Sequence, residues 1–441
     1  MTVNLSPAGV TLAAVETLVA NPALTIGRRL ERFRLVSTPS VAAAGVRSAG
    51  EGVMHATRLA AALDGEVITT RDGSMVVSQS TFELPLAEAA LRALPFGLQS
   101  FGRLICLDVE TTGLGTGTGT LAFMVGVGSW DGAQFTVRQF VLADHSQERA
   151  MLAGLEAALG DDSALVTYNG RSFDWPLIVA RFRLHRRQPP RPAGQLDLLP
   201  ISRRLWKHRL ADARLATVEQ HICGVRREHD LSGALVPQRY FDYLARREPQ
   251  LLVDVAEHNR QDIVSLALLV QALAGLGPAG EARSVAHPGD LRGLARAYAR
   301  HGRHTDALSC LDQAIGSAHW QQGIVGGAAL YRRLATERAH ILHRLGRRRE
   351  ALAAWLELAQ RGGPGAAAAW LRVARHREHV ERDFGGALDA CRQATTICAR
   401  SREWGRPLLP VEADLRHRQA RLEKRMKRSA MRRRQPRQAA A

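Results

Sequence analysis

At 441 residues the chain is long enough for two or three domains, each with its own core. Sixty Lys and Arg against 42 Asp and Glu give a net charge of +18, which points to an anionic partner such as nucleic acid. No uninterrupted apolar run reaches membrane-spanning length, and the first 27 residues hold no Lys or Arg to start a signal peptide. The five cysteines are scattered, odd in number and without a C-x-x-C pair, so neither a zinc site nor a disulfide framework is indicated. A reducing cytoplasm, with no membrane partner, is the default expectation.

Residues 1–97 read as an N-terminal extension, partly disordered over its first fifty residues. It carries a short helical stretch and a hairpin around EVITTRDGSMVVS (66–78). The most informative words follow. In LICLDVETTGL (104–114) an apolar run ends in Asp108 and Glu110 and then a Thr-Thr-Gly turn. Strand side chains repeat every two residues, so both carboxylates leave the strand on one side. They repel and resist desolvation unless a cation sits between them, and a hard cation such as Mg²⁺ or Mn²⁺ prefers such oxygens. Taken alone, one D-x-E word reads better as an exposed acidic loop after a core strand. The glycine-rich GLGTGTGT (113–120) lacks the lysine of a phosphate-binding loop and leads into a strand, so it reads as a turn.

FMVGVGSWDGAQFTVRQFVL (123–142) reads as two strands joined at Asp131-Gly132, followed by a helix from Gln147 to Leu159. A second apolar strand, ALVTYNG (164–170), leads to Asp174 before Trp175-Pro176, where an acid and a proline mark a helix start. Taken alone, Asp174 is an ordinary N-cap. The basic stretch RFRLHRRQPPR (181–191) suits either a phosphate backbone or solvent. A helix through 251–274 carries His258 and Asp262, four residues apart on one face, with Asp254 a turn earlier.

These words, in order, carry a resemblance. Asp108 and Glu110 in DVETTGL, Asp174 in YNGRSFDWP, and His258 and Asp262 in HNRQDIVSL resemble the DEDD family of ribonuclease-H-like 3′→5′ exonucleases. The bacterial YprB-type ribonuclease-H-like domain is the nearest in pattern, supported by FMVGVG (123–128), LDLLPISRRLW (196–206), RLATVEQHICG (214–224) and VPQRYFDYL (236–244). The resemblance implies an α/β fold with a mixed sheet flanked by helices over 98–276, and phosphodiester hydrolysis with two Mg²⁺ or Mn²⁺ ions about 4 Å apart. Asp108 would bridge both ions, Glu110 and Asp262 would complete the first site, and Asp174 would hold the second, partly through water. His258 would take the proton from the attacking water. Thr111 and Asn169 would contact substrate or order the loops, and Asp197 reads as structural. The chain departs from the family in placing a histidine four residues before the last aspartate, where relatives have tyrosine at four or histidine at five.

Residues 277–290 read as a Gly/Pro/Ala-rich linker. Beyond it, YARHGRHTDALSCLDQAI (298–315), LHRLGRRREALAAWLELA (342–359) and a weaker FGGALDACRQAT (384–395) repeat one word. They resemble tetratricopeptide repeats over 291–405, an all-α domain that would offer a groove to a protein partner. A plain helical bundle is the alternative. The basic tail, 406–441, reads as a helix fading into disorder, and its residues 416–437 hold eleven Lys or Arg against one acid. The expected function is a 3′→5′ exonuclease on single-stranded DNA or RNA. The alternatives are a catalytically inactive nucleic-acid-binding adaptor and a structure-selective endonuclease.

Overall fold

The computed structural model describes residues 51–97, 102–113, 119–227, 231–278, 280–321 and 323–434. The first fifty residues, the centre of the Gly/Thr turn at 114–118 and the last seven residues of the basic tail lie outside them. The chain divides into two compact units, residues 1–286 and 287–441.

The first unit is built on one seven-stranded mixed sheet in the order β1-β2-β5-β4-β3-β6-β7. Helix α1 (Glu51–Ala62) precedes the hairpin β1 (Gly65–Thr70) and β2 (Gly73–Glu83), and a short α2 (Glu88–Arg92) follows. Next come β3 (Arg103–Thr111), β4 (Ala122–Asp131), β5 (Gln134–Val141), α3 (Glu148–Leu159), β6 (Ser163–Thr167), α4 (Asp174–Leu184), β7 (Gly194–Asp197) and α5 (Leu198–Leu205). The unit is completed by α6 (Leu215–Val218), α7 (Val236–Arg246) and α8 (Val253–Gly275). The hairpin from the N-terminal segment belongs to the same sheet, because β2 pairs antiparallel with β5. Strands β3, β6 and β7 run parallel, with helices crossing between β6 and β7 and before β6.

Sequence explains the central strands. Leu104 to Leu107 are fully buried, as expected for a strand covered on both faces. The turn between β4 and β5 pairs Asp131 with Gln134 and leaves Gly132 and Ala133 as its tip, with Gly132 at φ +58°, where a side chain is strained. Helices α3 and α8 cover opposite faces. Gly154 of α3 lies against Phe140, whereas the neighbouring Gln139 bonds to α8.

In the second unit the described helices are α9 (Pro288–Arg300), α10 (His304–Ile315), α11 (Gly327–Arg344), α12 (Arg348–Gln360), α13 (Ala366–His376), α14 (Phe384–Glu403) and α15 (Leu409–Arg434). Each packs on the next in chain order. The first two repeated words span helix–turn–helix joints, and the third opens the second helix of such a joint. Gly302 and Gly346 sit at φ +73° and +75°, and Arg382 at φ +57° takes that place in the third. Behind the joints Ala307, Ala351 and Ala387 are buried, and their small side chains let the paired helices close in. The segment set aside as linker, 277–290, is not all loop: Glu281–Arg283 form a 3₁₀ turn in the first unit, and Pro288 already opens α9. The basic tail is helical from Leu409 to Arg434, with Leu415 and Leu422 buried.

Candidate active site

The site is built at the end of β3. Asp108 and Glu110 point to one face, Asp108 half-buried and Glu110 buried, and a bulge between Glu110 and Thr111 shifts the register of the pairing with β4. Thr111 Oγ1 donates to the Gly113 carbonyl at 2.7 Å and so orders the turn after the strand.

A single registered row crosses four strands beneath Asp108. Asp108 lies opposite Gly126, Gly126 opposite Gln139, and Gln139 opposite Ser78. Helix α8 drops Asn259, fully buried, into the gap over Gly126, where an added Cβ would stand 2.3 Å from Asn259 Oδ1. Asn259 Nδ2 donates to Asp108 Oδ2 at 2.8 Å, and its Oδ1 accepts from Gln139 Nε2 at 3.0 Å. Gln139 also donates to the Ala256 carbonyl at 2.7 Å and accepts from Ser78 Oγ at 3.1 Å. Buried amides of this kind are retained only with their bonds made, so the row fixes both helix and carboxylate.

Asp174 enters from α4. The ordinary N-cap reading is corrected: Phe173 is the N-cap residue, and Asp174 is the first helical residue, buried in the site. The turn before it is held from below by Asp197, which accepts from the Asn169 amide at 2.8 Å and the Arg171 amide at 3.4 Å while capping α5 through the Leu199 amide. Asn169 takes φ +67°, a conformation asparagine tolerates better than most residues, and its side chain is exposed. Two arginines of the 181–191 stretch are structural: Arg181 is buried in a pair with Glu148, and Arg187 bridges Asp72 and Glu156.

Helix α8 also carries His258 and Asp262, with His258 Nε2 3.9 Å from Asp262 Oδ2, while Asp254 is exposed at the helix start. Sequence reasoning missed the residue that joins them. Arg227 lies outside every motif, yet its guanidinium pairs with Asp262 and reaches His258 Nδ1 at 3.5 Å. It is itself held by Glu219, through Nε at 2.6 Å and a second nitrogen at 3.0 Å, and Ser265 of α8 donates to the same Glu219 carboxylate. A guanidinium only donates, so His258 Nδ1 accepts and the ring hydrogen sits on Nε2. Asn259, beside His258 in the HNRQD word, and the glycines of FMVGVG were the available signals for the buried row.

The four carboxylates act on one another. Burial first, then the charges of Asp262 and Asp174, push Asp108 well above the usual carboxylate range, against the pull of His258 and Asn259. Burial and the same acids, Asp108 foremost, push Glu110 up likewise, with Arg227 opposing. Asp174 is pushed up to about 7 by burial, then by Asp197 and Asp262. Asp108, Glu110 and Asp174, whose charged forms are disfavoured, are oxygen donors that fit hard divalent cations, which would restore the ionised state.

A mixed sheet with carboxylates at the end of its central strand defines a ribonuclease-H-like domain, and the family model described as the RNase_H superfamily matches residues 105–274. The chain is also 32% identical over 299 residues to a Bacillus subtilis (strain 168) protein described as "Uncharacterized protein YprB", covering 67% of this chain and 70% of that protein. It belongs to the YprB family within the ribonuclease H superfamily. A nuclease-type fold, divalent-metal use and action on nucleic acid go with that superfamily. No described helix is long and apolar enough to cross a membrane.

Proposed function

We propose that this chain is a metal-dependent 3′→5′ exonuclease acting on single-stranded DNA or RNA. The observation that carries this reading is the convergence of Asp108, Glu110, Asp174 and Asp262 from three separate elements, each of the first three pushed toward its neutral form by burial and by the others. Clustered carboxylates of that kind cost stability unless a cation joins them.

Asp108, Glu110, Asp174 and Asp262 would together hold the two Mg²⁺ or Mn²⁺ ions. When bound, the ions supply an acidified water and a counter-charge for the leaving oxygen. The protein's own residues do the rest. Asn259 holds the Asp108 carboxylate in one orientation from behind. Arg227 holds Asp262 and His258 together. His258 would take the proton from the attacking water. Asn169, exposed at the turn before Asp174, would contact substrate or order that loop. In the second unit, three helix pairs joined at similar turns favour the tetratricopeptide-like reading over a plain bundle. Five scattered cysteines without a C-x-x-C pair suit a cytoplasmic location.

The test is degradation of end-labelled single-stranded DNA and RNA by the purified full chain, in Mn²⁺ or Mg²⁺ and in EDTA, beside Asp108→Ala. Stepwise metal-dependent loss from the 3′ end, absent in the variant, is expected. Internal cuts would make the enzyme an endonuclease. No cleavage of either polymer would leave a binding protein on a nuclease fold.

A further inference from the structure

Helix α15 sorts its charges by side. Its acids near the start are turned inward: Glu412 is buried against Arg402, and Asp414 pairs with Arg375 and Arg418. The inner face is locked through Glu378, 1% exposed in its side chain, which accepts from Arg418 and from Arg421 at 2.7 Å. Leu415 and Leu422 fill the same face, and Arg425 lies over the Phe384 ring at 4.5 Å. The opposite face has another composition. Arg416, His417, Lys424, Lys427 and Arg428 are all exposed, with Ala413 and Ala420 among them and Glu423 at the edge.

Two features separate this face from a merely solvated one. The chain has three lysines in all, and two of them are here. The helix beneath is also fixed by a buried ion network, so the cations are presented on a rigid rod. At 1.5 Å per residue the row from Arg416 to Arg428 is about 18 Å long, enough to meet several successive phosphates. The face carries no large apolar side chain between Arg416 and Arg428 that would enter a lipid interface; Met426, 39% exposed, is the nearest and lies to one side.

We propose that this outward face of α15 is a second nucleic-acid contact, binding the phosphate backbone of a single strand without reading its bases. The choice of nucleic acid among polyanions rests on the nuclease reading. Lysine ammonium groups and unpaired guanidinium forks there would displace condensed counterions, so the contact is read through its salt dependence.

The experiment is fluorescence anisotropy of labelled single-stranded DNA and RNA with the full chain in EDTA, across a salt series. The parent is compared with Arg416→Gln, Lys424→Gln, Lys427→Gln and Arg428→Gln combined; all four side chains point to solvent, and circular dichroism verifies the fold. The expected result is affinity weaker by on the order of tenfold or more and a salt slope shallower by about 3, from about 0.7 for each lost phosphate contact on a single strand. Unchanged affinity and slope would overturn the proposal. So would a combined variant that loses binding to phosphatidylserine vesicles while nucleic-acid binding stays as in the parent. This binding assay contains no metal, so absent cleavage in the separate Mn²⁺ or Mg²⁺ assay would sink the nuclease reading while leaving a shallower slope to stand for this face.

Discussion

Asn259 and Asp108, 151 residues apart in the chain, share a 2.8 Å hydrogen bond that ties α8 to the carboxylate-bearing end of β3. The amide is fully buried, so its loss is felt on both sides: Asp108 loses its orientation and Gln139 loses an acceptor. Asn259→Ala is expected to lower metal affinity or cleavage by roughly 10–100-fold, the usual effect of removing a group that orients a metal ligand. It should also destabilise the fold by about 1–3 kcal/mol through the unsatisfied partners. Isothermal titration with Mn²⁺ and a urea melt measure the two separately.

Gly126 makes that bond possible. A methyl group there would overlap Asn259 Oδ1 and press on Ile263 of the same helix. Gly126→Ala should therefore cost about 1–3 kcal/mol by overpacking and displace α8 from Asp108. A Tm close to that of the parent, with full activity, would show that the helix is not seated where the geometry has it.

Arg227 offers a different separation. Its Glu219 partner has a side chain only 1% exposed, so Arg227→Met alone leaves a buried charge unpaired and should cost about 3–5 kcal/mol. Pairing it with Glu219→Gln should recover much of the stability. Activity should not return with it, because Asp262 and His258 have still lost their common donor. Recovery of both would make Arg227 a fold residue with no part in positioning.

The raised carboxylates give a pH dependence with a definite sign. Asp174 titrates near 7 in the fold and near 4 when unfolded, so the folded chain holds a proton that the unfolded chain has released over that window. Metal-free stability from this group is thus present at low pH and lost as pH rises toward 7; Asp108 and Glu110 act in the same direction. Cation binding requires the ionised forms and reverses the trend. The rise in Tm on adding Mg²⁺ or Mn²⁺ should be small at pH 5.5 and larger at pH 7.5. An equal rise at both would mean that these acids are not the ligands.

Local pattern revealed much of this protein and long-range contact supplied the rest. The period of two placed Asp108 and Glu110 on one side of a strand, and the period of 3.6 placed His258 and Asp262 on one face of α8, because each is a property of neighbouring residues. Asp174 was legible as a helix start, but its exact station was not. Phe173 takes the cap, and whether a carboxylate faces solvent or a site depends on β6 and β7 beneath it. Asn259, Gln139 and Arg227 escaped because each is defined by a partner 31 to 151 residues away. An isolated arginine among 60 basic residues carries no local mark.

The central claim is that these four carboxylates hold two divalent cations. Its most direct test is the stoichiometry of Mn²⁺ bound at pH 7.5, read by electron paramagnetic resonance on the full chain and on Asp108→Ala. Two ions per chain, with occupancy sharply reduced in the variant, are expected. Binding of none, or the same binding in parent and variant, would contradict the claim.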